Sequence, residues 1–378
     1  LKNLVLVGGG HSHAIVLHFL ATHPLSDVCL TLISDVLEAP YSGMLPGYVG
    51  GFYSFEEVHI NLKTLAERAK ARLILDRAVG LDLEQNLVRC DRSAPIPFDW
   101  LSINIGSTPA KQEIPGTAEY TIPAKPVPQF LEGWNQFLQA LGSHESNPIA
   151  PIALGIVGGG AGGVELALNM QARLQAFPIK IHVFHRGEHL LDRSSVSVGR
   201  RFEQLLSSRG ICLHLGELVS VVEPSQDSQN VVVCQSGLRV RCDRIFWLTH
   251  AAAPLWPQAA GLATDERGFI LVNEKLQSVS HPQVFATGDI ASMVYHPRPK
   301  AGVFAVRQGK PLIKNLQRII AGQPLQPSYP QRRYLQLIGT GDRRAMGHWG
   351  SLCFGPSRSF WFLKRCIDCE FMFQFKGL

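Results

Sequence analysis

The chain lacks any window of 18 consecutive apolar residues, because its most apolar stretch, Pro151 to Met170, is interrupted by glycines and Glu165, so no transmembrane helix is expected. It has no N-terminal charged region followed by an apolar core and a small-residue cleavage site, and its eight cysteines fall at irregular intervals, so a secreted disulfide framework is excluded and a cytoplasmic setting is expected. It lacks a long basic block: 36 Lys and Arg stand against 30 Asp and Glu, spread along 378 residues. That net charge of +6 suits an anionic small ligand or an acidic surface, and nucleic acid is not an expected partner. There is no HExxH, and His11, His13, His182, His185 and His189 fall at strand ends and turns rather than along one helix face, so no metal is assigned. With 46% hydrophobic and 17% charged residues the composition is that of an ordinary soluble globular chain, and a prior of about 150 residues per domain gives two or three domains.

What is present is a repeated grammar. The apolar run Leu4 to Val7 stops at Gly8-Gly9-Gly10 and leads into a helical pattern from Ala14 to Leu20, and Cys29 to Ile33 supplies a second buried strand. Ile152 to Val157, Gly158-Gly159-Gly160, a helix through Val164 to Leu174 and a strand from Ile179 to Phe184 repeat it. Between the two units, Arg72 to Val79, Leu87 to Cys90 and Trp100 to Ile105 are expected strands, and the proline-rich stretch Pro115 to Pro128 an interdomain linker. The strand Val284 to Thr287 has no crossover helix of its own and is expected to rejoin the first sheet. The fold class is therefore α/β, with two doubly wound Rossmann-like dinucleotide-binding domains: residues 1–115 with 264–330, and residues 116–263. Residues 331–378 form a small C-terminal interface segment.

Gly8 and Gly10 open the first turn, followed by His11, Ser12 and His13, with His13 where a third small residue would let helix and strand pack closely. A turn between strand and helix aims backbone N–H groups and the positive helix end at a pyrophosphate. Ser34, Asp35 and Glu38 are the candidates for a ribose hydroxyl after the second strand. The second turn, Gly158, Gly160 and Gly163 followed by Glu165, matches GxGxxG in full. Its second strand ends at His185 and Arg186, where a carboxylate would favour NAD and a cation attracts a 2′-phosphate; NADPH is expected over NADH.

Two glycine turns, Phe98-Asp99-Trp100 leading to Gly106 and Ser107, and Val284 to Asp289 together resemble the FAD- and NAD(P)-dependent pyridine nucleotide-disulfide oxidoreductase superfamily over residues 1–330. The resemblance implies FAD, with Gly106, Gly288 and Asp289 beside its ribityl and pyrophosphate and Val79 also in the site. Within the superfamily, residues 159–167 and 300–309 are similar to type II NADH dehydrogenases and sulfide:quinone reductases, although Val303 and Arg307 stand where the quinone-associated pattern has glutamines. The strings GGGHSH (8–13), PYSGMLPG (40–47) and KAGVFAVRQG (300–309) resemble the flavoprotein module fused ahead of selenide, water dikinase. By that analogy Lys300 and Ala301 lie beside the flavin, Lys300 stabilising its reduced anion; Glu165 orients the nicotinamide; and Tyr41 and Met44 line the flavin's edge.

The implied activity is hydride transfer from NAD(P)H to FAD and on to a small-molecule acceptor, with a link to selenium. Two rivals are carried: a flavin-binding docking or redox-sensing module, suggested by His13, His185 and His250, and a quinone-reducing peripheral membrane enzyme. Residues 34–51 contain no cysteine pair to relay electrons, which disfavours disulfide reduction. Cys353 has no partner between Val164 and Gly210, which disfavours a sulfide enzyme, and Cys366 and Cys369 read as ordinary side chains. The aromatics Phe360 to Phe375 call for a cover: a fused selenide, water dikinase domain, expected also from the missing initiator Met, or a second subunit of a homodimer, with membrane contact less favoured.

Overall fold

The computed structural model describes every residue except 110–113, 144–150, 226–228, 250 and 377–378, and leaves aside the side chains of 109, 143 and 251. His250 therefore lies outside the described residues. The strand Lys2–Val7 carries the alternation-free apolar run Leu4 to Val7, which is buried on both faces, as expected of a parallel strand covered by helices. It is flanked by Val28–Ser34 on one side and Trp100–Ile103 on the other, with Arg72–Leu75 and Val284–Ala286 at the two edges, all parallel. Val284 pairs with Leu101, so the late strand does enter the first sheet.

The second unit repeats this order for four of its strands, while its outer strand Ile122–Pro123 precedes them in the chain where Val284–Ala286 came last. Ile152–Val157 lies between Ile179–His185 and Arg244–Trp247, with Cys212–Leu215 and Ile122–Pro123 outermost. Each unit also inserts a three-stranded antiparallel sheet, before Trp100–Ile103 in the first (Ala78–Asp82, Leu87–Cys90 and Ile96–Pro97) and before Arg244–Trp247 in the second (Val219–Pro224, Asn230–Cys234 and Arg239–Cys242). The internal repeat thus extends beyond the glycine turns.

Two sequence expectations are revised, and a departure from the motif is explained. Arg72 to Val79 is two strands, because buried Asp76 turns the chain by accepting hydrogen bonds from the N–H groups of Arg77 (2.7 Å) and Ser93 (2.7 Å) and the Ser93 hydroxyl (2.6 Å). The proline-rich stretch is more than a linker, since Ile122–Pro123 pairs with Phe246 and Trp247. His13 replaces the small residue of the first turn without loss of packing. Its buried ring bridges Gly8 O (2.7 Å) and Ser102 Oγ (2.8 Å), tying the helix start to the glycine turn and to the strand Trp100–Ile103.

The helix His11–Thr22 packs closely on the helix Gly302–Ile320: a Cβ on Gly309 would stand 2.7 Å from Ile15, and the Ser12 hydroxyl donates to Ala305 O at 2.6 Å. The antiparallel strands Gln336–Gly339, Ala345–Trp349 and Leu352–Ser357 then precede the helix Arg358–Lys376. Ile338 and Met346 of these strands join the second core, together with Leu45 and Val49 from the first unit, so the two units interlock.

Candidate active site

The first glycine turn is built for close approach. Gly8 has φ +93°, and a Cβ there would lie 2.3 Å from the Asn104 carbonyl oxygen. Gly10 starts the helix with no side-chain cap, which leaves first-turn N–H groups for an anion. His11 projects from that turn and packs edge-on against Tyr41 and Phe371; burial holds its imidazole down at about 4, so it is neutral, and its buried Nε2 has no protein partner. The Ser12 hydroxyl is committed to Ala305. After the second strand, Ser34 closes a local turn through Val36 O (2.8 Å), whereas Asp35 is exposed at the sheet's end, which leaves Asp35 the freer of the two for a ribose.

Asp289 stands where the fifth strand ends, one residue after Gly288 (φ +72°). Its carboxylate accepts from Lys125 Nζ (2.5 Å) and Ser107 Oγ (3.1 Å). Burial alone would raise its pKa, but the Lys125 charge and these two hydrogen bonds outweigh burial and keep the carboxyl below its ordinary range. Asn104 holds the floor of the site: its amide donates to Thr287 Oγ1 (3.0 Å), and its carbonyl oxygen accepts from Gly10 N–H. Gln308 accepts from Gly288 N–H at 2.7 Å. Gly106 (φ +71°) has open space beyond its Cα, Val79 is exposed on its strand, and Met44 is buried in the first core. Lys300 donates to Ala291 O (2.6 Å) and lies 4.0 Å from the Phe269 ring centroid. Burial lowers its pKa to about 8 against the pull of Asp265 and Asp289.

The second turn is as tight. A Cβ on Gly163 would sit 1.8 Å from Gly158 O, whereas Gly160 faces open space and starts the helix Ala161–Arg173 without a side-chain cap. A cavity of about 600 Å³ runs from Gly158–Gly160 past Arg186 to Lys300, Ala301 and Phe304. His185 is turned beneath the turn, its Nδ1 accepting from Gly159 N–H (3.3 Å); burial lowers its pKa, so the cation at this strand end is Arg186 alone. Arg193, Arg267, Arg332 and Arg333 also face the cavity, and its carboxylates are Asp192 and Glu217.

Glu165 points elsewhere. It is absent from the cavity wall because its Oε1 accepts from Gly339 N–H (2.8 Å) and lies 3.6 Å from Lys364 Nζ. Lys364 also reaches Asp368 Oδ2 (3.1 Å) and Gly43 O (2.9 Å), and Asp368 Oδ1 accepts from Tyr41 OH (3.2 Å). Burial pushes up the carboxyls of Glu165 and Asp368 and the Tyr41 phenol. Lys364 is held protonated, since the two carboxylates overcome the opposing effect of burial. Glu165 and Tyr41 thus meet around the C-terminal helix.

Residues 2–309 match the family model described as pyridine nucleotide-disulphide oxidoreductase. The chain belongs to that family. Among its relatives are the NADH dehydrogenase-like protein YutJ of Bacillus subtilis, 23% identical over 350 residues that cover 91% of each chain, and the demethylphylloquinone reductase NdbB of Synechocystis, 26% identical over 265 residues covering 69% of this chain and 62% of the other. In fold it is similar to the sulfide:quinone oxidoreductase of Aquifex aeolicus, with a TM-score of 0.80 at 18% identity, covering 100% of this chain and 92% of that one.

As a pyridine nucleotide-disulphide oxidoreductase the protein is an enzyme that uses FAD and NAD(P)H. The residues fit both: two uncapped helix starts at glycine turns, the buried unpartnered Nε2 of His11, and the Asp289 carboxylate at the first sheet's end. All eight cysteines are free thiols, and none lies among residues 34–51. Cys366 is exposed and Cys369 half-buried on the last helix. Among the described residues no group of side chains could hold a metal, and no helix is long and apolar enough to cross a membrane.

Sequence reasoning missed Lys125, Asn104, Lys364 and Asp368. Asn104, a polar residue ending an apolar strand, carried a signal; Lys125 and Lys364 carried none.

Proposed function

We propose that this flavoprotein takes hydride from NADPH in preference to NADH and delivers the electrons to a small-molecule acceptor. Bound FAD supplies the hydride acceptance and electron release; the chain supplies position and charge. The observation that carries the reading is the cavity joining the Gly158–Gly160 turn and Arg186 to Lys300 and Ala301, which abut the helix that Ser12 grips from the FAD side. A nicotinamide directed along that cavity approaches the flavin's place. Arg186 offers a guanidinium to a 2′-phosphate, and the strand ends in His185 and Arg186 with a carboxylate at neither position.

Lys300, partly dehydrated and without a carboxylate at salt-bridge distance among the described residues, places positive charge where reduced flavin would be anionic. The buried set Glu165, Lys364, Asp368 and Tyr41 holds protons close to the Tyr41–Gly43 segment and suits an acceptor that takes up protons with its electrons. The selenium link rests on the three strings 8–13, 40–47 and 300–309, and a reduced-selenium acceptor beside a selenide, water dikinase is the finer form of the proposal. A quinone acceptor is the second reading, favoured by the exposed Trp349, Leu352, Phe354, Phe362 and Ile367 on the same C-terminal strands and helix that carry Arg358 and Arg365. Against it, Gln308 is committed to the Gly288 N–H.

The test is anaerobic stopped-flow reduction of the FAD-loaded protein. NADPH should reduce it faster than NADH, and Arg186→Glu should reverse the order. Equal rates, unchanged in the variant, contradict the NADPH assignment.

A further inference from the structure

Part of the nucleotide cavity is walled by a stretch that carries no dinucleotide motif. Residues 321–335 leave the helix Gly302–Ile320 and reach the strand Gln336–Gly339, whose last N–H is bound by Glu165 of the nucleotide-turn helix. On the way Arg332 and Arg333 enter the wall of the cavity that contains Gly158–Gly160. Both are exposed, and neither makes an ion pair with a carboxylate among the described residues. Guanidiniums left uncompensated at the mouth of a cleft attract an anion into it.

The stretch is pinned on both sides of this pair. Arg298 donates through Nε to Gln331 O (3.1 Å) and through Nη2 to Pro330 O (3.2 Å), fixing the backbone immediately before Arg332. Immediately after Arg333, the Tyr334 ring stands edge-on to Phe304, with centroids 5.4 Å apart. Two adjacent arginines held between such anchors keep a small range of positions, which reduces the entropy lost when they close on a ligand.

We infer that Arg332 and Arg333 clamp the pyrophosphate of the nicotinamide dinucleotide, with Arg298 as the positioning residue that holds them at the cavity. The inference rests on the NAD(P)H reading above and deepens it. A pyrophosphate bound at the Gly160 turn receives backbone N–H groups on one side and leaves its other oxygens for donors from another element. Paired guanidiniums match phosphate oxygens in charge and in planar geometry. Arg186, at the end of the second strand, answers the 2′-phosphate instead, and the acids of the cavity, Asp192 and Glu217, do not pair with either clamp arginine.

The experiment uses the FAD-loaded enzyme and three hydride donors: NADPH, NADH, and reduced nicotinamide riboside, which has the ring and its ribose but no phosphate. Each of Arg332→Ala and Arg333→Ala should raise KM for both dinucleotides about tenfold, the usual scale for a hydrogen bond to a charged group, with little effect on kcat. The NADPH to NADH ratio should stay constant. The riboside should react with the double variant as with the original, and Arg298→Ala should reproduce part of the KM effect. Raising salt should weaken the original enzyme's dinucleotide kcat/KM more than the double variant's.

Unchanged KM values for both dinucleotides in the double variant overturn the clamp. So does an equal loss with the riboside, which would mean damage elsewhere, or a loss confined to NADPH, which would move these arginines to the 2′-phosphate. If no nicotinamide donor reduces the original protein, it is the parent reading that fails.

Discussion

Replacing Lys364 with Met removes the cation that Glu165 and Asp368 share. Its ammonium lies 3.1 Å from Asp368 and 3.6 Å from Glu165, with the three side chains 16%, 6% and 11% exposed. At an effective dielectric near 20 each contact is worth about 5 kcal/mol before desolvation is subtracted. Desolvation removes much of that, and breaking a buried pair by deleting one partner costs about 3–5 kcal/mol net. Against a total stability of about 5–15 kcal/mol, this is a large loss.

The pH dependence identifies the cause. Both carboxyls lie above their ordinary pKa in the fold, so their contribution is complete below the unfolded value and is lost as pH rises through the folded one. Without the lysine the folded values climb further, and the penalty grows with pH over a wider window. Urea unfolding followed by tryptophan fluorescence should therefore show a large loss for Lys364→Met near pH 8 and a smaller one near pH 5. Adding Asp368→Asn should recover about 1–3 kcal/mol near pH 8, by removing one stranded charge. An unchanged midpoint near pH 8, or the same loss at both values, refutes the argument.

Asp289→Ala should weaken FAD retention by about 1–3 kcal/mol, read as flavin lost on gel filtration; full retention would show that the carboxylate does not touch the cofactor. His13→Ala should cost about 1–3 kcal/mol by unpairing Gly8 O and Ser102 Oγ, measured by denaturant unfolding. Because burial depresses the folded pKa of His13 to about 4 from 6.5, its stabilising contribution is present above the unfolded value and is lost as pH falls through that window; the variant should lose less stability on acidification than the original. Gly163→Ala should abolish NADPH-driven reduction while FAD stays bound, since a Cβ would lie 1.8 Å from Gly158 O and push the helix off its turn.

Much of the architecture was written in local pattern. Leu4 to Val7 and Ile152 to Val157 are apolar without alternation, and each runs into glycines whose positive φ at Gly8 and Gly158 no other residue adopts easily. Strand, turn and helix were legible at both places for that reason. The side-chain directions were not. Glu165 follows the second turn in sequence, yet its carboxylate is captured by Gly339 and Lys364, partners far along the chain that no spacing announces. His185 shows the same limit: charge at a strand end was readable, but that the ring tucks under Gly159 and leaves Arg186 as the cation depends on packing. Asp289 was found through its motif, whereas the Lys125 that sets its charge came from a stretch read as linker.

The central claim is that one chain binds FAD at the first glycine turn and draws hydride to it from NAD(P)H bound at the second. Anaerobic titration of the FAD-loaded protein with NADPH tests it most directly. The account predicts loss of the yellow flavin absorbance with about one equivalent of NADPH, and recovery on admitting an electron acceptor. A flavin that stays oxidised in excess NADPH and NADH would contradict it.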